Sequence, residues 1–290
     1  MRKTFLIMAM MATVVLVGCK KDKIQEEVII PEVPATEESI VILTFSPYQI
    51  EPIRDSSPIS TYANHLDVYI FDTLDMVNPV VRVHQNTTYN PEFGTVSASL
   101  QTNKYYTLYA VAHKCNDTIS LNGDVISFPE DNITHSFFYK TTFTPAEGLT
   151  LNCNMPRIVG MFRMTTTDVV SEDINKFEFV IDSTTVKWNV NGYSENVVER
   201  IKTYEGFTLN NNGTVTLNLF LLGENMEDTY YVNITANAYV GNELRESREF
   251  VNVPVKAGWR ATYTGTFFIT FGMTLNFTAD DWNEFDPINY

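Results

Sequence analysis

Tyr105-Tyr106-Thr107-Leu108-Tyr109-Ala110-Val111-Ala112-His113 is a run without proline, glycine or acid. Its aromatic and β-branched residues fall at period two, which makes it a strand. Tyr106, Leu108, Ala110 and Ala112 share one face, and Tyr105, Thr107, Tyr109 and Val111 share the other. The same pattern recurs on both sides of it. Upstream stand Ile40 to Phe45, Leu66 to Phe71 and Thr95 to Leu100. Downstream stand Arg157 to Thr166, Lys176 to Ile181, Thr214 to Leu222, Tyr230 to Val240 and Trp259 to Phe271. The last, at about 3.3 Å per residue, would run roughly 40 Å, so it is expected to bend at Gly265.

Turn residues separate these runs: Val77-Asn78-Pro79, Leu121-Asn122-Gly123-Asp124 and Asn211-Asn212-Gly213. Pro129 to Tyr139, with its acidic start at Glu130 and Asp131, reads as a short helix, and Ser171 to Ile174 as one helical turn. Beyond the N-terminal segment no run of ten or more residues has helical periodicity. The chain is therefore expected to be all-β, in two tandem antiparallel β-sandwich domains, 39–155 and 156–290, divided near Met155-Pro156. No internal repeat is visible in the residues themselves.

The N-terminal segment is of another kind. Arg2 and Lys3 precede an apolar run from Phe5 to Val17 broken only by Thr13, the layout of a secretory signal. The run ends in Leu16-Val17-Gly18-Cys19, which resembles the lipobox of bacterial lipoproteins. That resemblance implies a signal peptide of residues 1–18, cleavage between Gly18 and Cys19, and acyl chains on Cys19. An incidental cysteine in an ordinary signal is the alternative. One acyl chain binds a bilayer marginally, at about 0.8 kcal/mol per methylene, whereas several anchor it firmly. Residues 19–38, with Pro31, Pro34 and many charges, read as a lipidated tether. Such a coil spans roughly 25 Å on average.

The formal charge is −15, and loss of Arg2 and Lys3 takes it to about −17. That balance argues against nucleic acid or anionic lipid as a partner. Besides Cys19 there are two cysteines, Cys115 and Cys153. In an oxidising compartment they could pair, closing a loop of about 38 residues that contributes about 3–4 kcal/mol. Two separate buried thiols are the other reading. No Cys-x-x-Cys or His-rich cluster points to a metal, and no cofactor is expected.

Five stretches together resemble a known family. They are the Val-Gly-Cys lipobox, His65-Leu66-Asp67-Val68-Tyr69-Ile70-Phe71-Asp72, the Tyr105 strand, Met155-Pro156-Arg157-Ile158-Val159-Gly160, and Val255-Lys256-Ala257-Gly258-Trp259-Arg260-Ala261-Thr262-Tyr263-Thr264-Gly265. With the closing Asp280-Asp281-Trp282, they are similar to the fimbrillin-associated anchor (FimB/Mfa-like) lipoproteins of type V fimbriae. The resemblance implies two transthyretin-like sandwiches and lipid anchorage in the outer membrane. It also implies fimbrial subunits as partners, joined when a strand of one protein completes a sheet of another. Related stalk subunits are cut after a basic residue. Here Arg54, in Pro52-Ile53-Arg54-Asp55-Ser56-Ser57-Pro58, is the matching position. An uncut loop is the favoured reading, since a cut there would free the body from its lipid.

Catalytic chemistry has little support. Asp280, Asp281, Glu284 and Asp286 crowd around Trp282 and Phe285, but neighbours in one short segment do not make the facing carboxylates of a glycosidase. No Asp-x-Asp-x-Asp-Gly calcium loop exists. His65, His84, His113 and His135 are scattered, and no Gly-x-Ser-x-Gly elbow accompanies them. Asp72-Thr73-Leu74, Asp117-Thr118-Ile119 and Asp182-Ser183-Thr184 resemble an O-glycosylation pattern of exported proteins. The second functional reading is a surface glycan-binding lipoprotein, in which Trp188, Trp259 or Trp282 would form a flat aromatic platform.

Overall fold

The computed structural model describes residues 37–48, 58–129, 132–268, 274–275 and 283–284. Gly18, Cys19, Arg54, Asp280, Asp281, Trp282, Phe285 and Asp286 lie outside the described residues, as does the tether up to residue 36.

The first half contains β1 (Glu38–Pro47), β2 (His65–Asp72), β3 (Asp75–Asn86), β4 (Thr95–Gln101), β5 (Tyr106–His113), the short β6 (Ser120–Asn122) and β7 (Val125–Ser127), β8 (Ser136–Phe143) and β9 (Thr150–Met155). One sheet has the order β4-β1-β9 and the other β3-β2-β5-β8. Between them lies a core that includes Val41, Leu43, Leu66, Val68, Ile70, Leu108 and Phe137. The second half contains β10 (Val159–Thr166), β11 (Lys176–Asn189), β12 (Tyr193–Glu205), β13 (Thr216–Leu222), β14 (Tyr230–Val240), β15 (Glu243–Val255) and β16 (Trp259–Gly265). Its orders are β13-β10-β16 and β12-β11-β14-β15. Two-residue strands β17 (Thr274–Leu275) and β18 (Asn283–Glu284) flank β16.

Set side by side, the two sandwiches follow one wiring plan. β1, β2, β3, β4, β5, β8 and β9 correspond in order and pairing to β10 through β16. In each, the last strand returns parallel to the first: β9 along β1, and β16 along β10. The other long pairings are antiparallel. The fold is thus all-β with two sandwiches, each carrying one parallel pair.

The halves are not independent beads. The β6–β7 hairpin of the first half pairs with β11, aligning Ile126 with Trp188. A third core fills the seam: Tyr69, Phe71, Tyr109, Val111 and Phe138 from the first half meet Ile158, Met161, Trp188 and Leu222 from the second. This explains why β2 and β5 are buried on both faces. One face supplies the first sandwich core and the other supplies the seam. In the second sandwich, Phe162 sits among Phe250, Tyr263 and Phe179, with ring centroids 5.0, 5.3 and 5.8 Å away, spacings at which aromatic pairs add to simple burial.

Three expectations need correction. Pro129 to Tyr139 is not helical, because β8 begins at Ser136. Phe137 packs in the first core and Phe138 in the seam, and only a strand delivers consecutive side chains to opposite sides. Val77-Asn78-Pro79 is not a hairpin turn but part of edge strand β3. Pro79 is tolerated there because the register slips beside it, between Ile70 and Phe71. The last long strand stops at Gly265 instead of bending and continuing. Beyond it the backbone N–H groups of Phe267 and Phe268 donate to the Asp168 carboxylate at 2.8 and 2.6 Å, and Phe267 enters the core.

One contact accounts for two of the motifs. Gly160 faces the turn after β15, where an added Cβ would lie 2.7 Å from the Lys256 carbonyl oxygen. The Gly258 N–H donates to the Val159 carbonyl at 2.9 Å from the same turn. Gly160→Ala is expected to cost about 1–3 kcal/mol, since backbone and not a flexible side chain must yield. Thermal denaturation would register it as a loss of roughly 2–10 °C.

Candidate functional site

Two places outside the sandwich cores gather functional side chains. The first is a polar cluster on the seam side of the sheet β3-β2-β5-β8. His65 and Asp67 are two apart on β2 and so share a face. The register sets His65 opposite His113 of β5 and Asp67 opposite His84 of β3. Asp67 and His113 are fully buried, with side chains 2% and 0% exposed. His84 Nδ1–H donates to Asp67 Oδ1 at 3.0 Å, and His113 Nε2–H donates to Asp67 Oδ2 at 3.2 Å. The tautomer of His113 follows from its other nitrogen. The Cys115 N–H donates to Nδ1 at 3.3 Å, so the ring proton sits on Nε2. His84 Nε2 is then left to accept from His65 Nδ1 at 3.4 Å, and His65 Nε2 to accept from Asn86 Nδ2 at 3.3 Å. The His65 and His113 rings stack at 5.1 Å, 4° from parallel.

This relay satisfies a buried carboxylate with two N–H donors. Its ring nitrogens are spent on Asp67, on one another, on the Cys115 N–H and on the Asn86 amide, so their lone pairs do not converge. Among the described residues no group of three or more His, Cys, Asp and Glu is placed to hold a metal ion. Burial, together with the neighbouring His113 and His84, pushes the His65 pKa below the usual imidazole value. Sequence reading scattered these histidines. The available signal was His65-x-Asp67 inside an otherwise apolar strand.

The fourth histidine stands apart. His135 precedes β8 and packs on Phe220 at 4.4 Å between centroids. Burial, then the cations of Arg157 and Lys114, lower its pKa to about 4.

The second place is a cleft of about 560 Å³ where β8, β9 and the β11–β12 turn meet. Tyr48, Tyr139, Lys140, Asn154 and Asn191 line it, with Phe138 and Trp188 among its apolar lining. Tyr48 is 55% exposed, and its N–H donates to the Met155 carbonyl at 2.7 Å, which fixes the backbone at the lip. Lys140 Nζ donates to Asn191 Oδ1 at 3.1 Å and lies 5.4 Å from the Tyr109 ring centre.

Cys115 and Cys153 carry free thiols in different cores, Cys115 in the seam and Cys153 in the first sandwich, so the bridge between them is not formed. Burial raises the pKa of the first and pushes that of the second to about 12. Of the tryptophans, Trp282 lies outside the described residues, and the other two form no joint platform. Trp188 is fully buried, while Trp259 is half-buried beneath the Lys256 ammonium at 5.2 Å. Thr73, Thr118 and Ser183, the hydroxyl residues of the three glycosylation-like triplets, are exposed.

The wiring defines a class, the tandem seven-stranded sandwich in which each last strand returns parallel to the first. The chain has the fold of solved structures from Bacteroides. A cell adhesion candidate from Bacteroides ovatus ATCC 8483 superposes with a TM-score of 0.53 at 12% identity, covering 86% of this chain and 100% of the other. An adhesin candidate from Bacteroides thetaiotaomicron VPI-5482 gives 0.51 at 14% identity, covering 87% and 98%. The fimbrial anchor protein Mfa2 from Porphyromonas gingivalis gives 0.46 at 11% identity, covering 78% and 90%. No family profile matches the sequence. No curated protein matches it either.

Proposed function

We propose that the chain is an outer-membrane lipoprotein, moored by acyl chains on Cys19, that anchors or accompanies a fimbrium. In this reading 39–155 and 156–290 are its two domains, its work is mechanical and it is not an enzyme. The observation that supports the reading most is the setting of β1. This strand follows the tether directly, yet it lies in the middle of its sheet. It pairs antiparallel with β4 over seven residues and parallel with β9 over six. Its side chains alternate, with Val41, Leu43 and Phe45 buried in the core and Ile40 and Ile42 exposed. A strand so placed is held by two ladders of main-chain bonds and a row of pockets, the components of strand-mediated subunit coupling. Adhesin descriptions of the solved structures with this fold agree with a surface role.

The test is co-isolation. After crosslinking in native membranes, pull-down of the protein is expected to bring fimbrial subunits with it. Labelled palmitate is expected on the wild type and to vanish in Cys19→Ala, which should also shed fimbriae into the medium. Palmitate that never reaches Cys19, or crosslinked material free of fimbrial subunits, would overturn the anchor reading.

A further inference from the structure

The cleft at the end of the seam differs in chemistry from the surrounding surface. Acidic residues outnumber basic ones by 35 to 20 in the whole chain. Yet among the described residues no acidic side chain lines the cleft, and Lys140 is the sole charged one that does. The ammonium is held in place by Asn191 Oδ1 and keeps hydrogens to donate. Asn154 Oδ1 accepts from Ser46 at 2.8 Å, which fixes that amide with its NH₂ still available, and Asn191 leaves its NH₂ in the same condition. Tyr48 adds an exposed aromatic face. Trp188 lies under the floor, fully buried, and supplies apolar surface there.

An aromatic face, outward amide donors and one ammonium in a concave apolar setting suit a compact ligand with an apolar ring face, a rim of oxygens and a negative charge. Pyranose rings have both the face and the rim, and a uronic acid adds the charge. We propose that this cleft binds an acidic saccharide of one or two rings, stacked on Tyr48, with its carboxylate on Lys140 and its hydroxyls on Asn154 and Asn191. The cleft volume of about 560 Å³ fits that size, and its opening to solvent predicts a weak site, with a dissociation constant on the order of 1 mM.

The experiment is saturation-transfer NMR on the full-length protein in detergent, with digalacturonate and its neutral counterpart digalactose as probes. Digalacturonate is expected to bind about tenfold more tightly than digalactose, a difference carried by the ammonium. Lys140→Met should abolish that preference, and Tyr48→Ala, on an exposed ring, should weaken both sugars about tenfold. Tyr105→Ala, at a ring 69% exposed and outside the cleft, should change nothing. Each variant is checked for an unchanged melting curve. No saccharide signal with folded wild type, equal binding of the two sugars, or binding indifferent to Lys140→Met and Tyr48→Ala would each overturn the proposal. If the same variants abolish capture of fimbrial subunits while no sugar binds, the cleft is a protein-docking surface and the proposal falls. Subunit capture that survives them leaves the anchor reading to stand or fall separately.

Discussion

Asp67→Ala is expected to lower global stability by about 2–3 kcal/mol, the upper part of the range for leaving a buried hydrogen-bond donor without its partner. The carboxylate is 2% exposed and accepts from two imidazoles. Without it, the His113 N–H has no replacement partner, because that side chain is 0% exposed and water cannot reach it. The loss should spread. His113 Nδ1 also accepts from the Cys115 N–H, so a reoriented ring leaves a second donor unmet at the point where β5 passes into the segment carrying the β6–β7 hairpin. His84 is the internal contrast. Its side chain is 33% exposed, so His84→Ala should cost only about 1 kcal/mol, with water taking over at Asp67. Guanidinium denaturation of the three proteins gives the comparison, and hydrogen exchange should show faster opening at residues 113–115 in Asp67→Ala. A cost below about 1 kcal/mol for Asp67→Ala would mean that the relay is not a structural tie.

How far the fold could be read in advance depended on where each strand sits. Strands that feed a core were legible, because burial imposes period two: β14 was bounded from Tyr230 to Val240, as found. Among edge strands, β4 and β13 were legible for the same reason, but β12 and β15 were not. β12 and β15 carry sequences such as Glu-Asn-Val-Val-Glu-Arg and Glu-Leu-Arg-Glu-Ser-Arg-Glu, whose sides face water along much of their length. Their strand state comes from ladder bonds to β11 and β14, which leave little trace in composition. The repeat of the two sandwiches was hidden for a related reason. It resides in which strand pairs with which, and unlike residues can fill equivalent positions when volume and pattern are kept. The helix read at 129–139 failed because Phe137 and Phe138 serve two cores, and the existence of a seam core is not visible in a linear chain.

The candidate sites were less legible still. His65, His84 and His113 come from three strands, and only register brings them to Asp67. The cleft takes Tyr48 from the end of one sheet, Lys140 from an edge strand of the other and Asn191 from a hairpin of the second sandwich. No spacing rule links those positions. By contrast, the pairing of the Gly160 and Gly258 motifs has a physical explanation in hindsight: each glycine sits where the β10 backbone and the turn after β15 touch.

Acidification should destabilise the protein through His135, and the direction follows from linkage. The folded-state pKa lies near 4, below the 6.5 of a free imidazole. Folding therefore favours the neutral ring. Above pH 6.5 both states are neutral, and the advantage of burying an uncharged ring is fully present. As pH falls from 6.5 toward 4 the unfolded chain takes up a proton that the folded one refuses, and stability drops. Below about 4 the folded ring charges too, and the loss levels off. A shift of this size corresponds to an upper bound of roughly 3 kcal/mol. His65, whose pKa is also lowered, contributes in the same direction. His135→Phe isolates the larger share: it keeps an aromatic ring against Phe220 and removes the titration. Denaturation midpoints across pH 7.5, 5.5 and 4 should fall less steeply for His135→Phe than for the wild type, with the two converging in slope above pH 7. Curves that stay parallel over the whole range would show that the His135 ring charges as easily in the folded protein as in the unfolded chain, and that burial beside Arg157 and Lys114 does not exclude the proton.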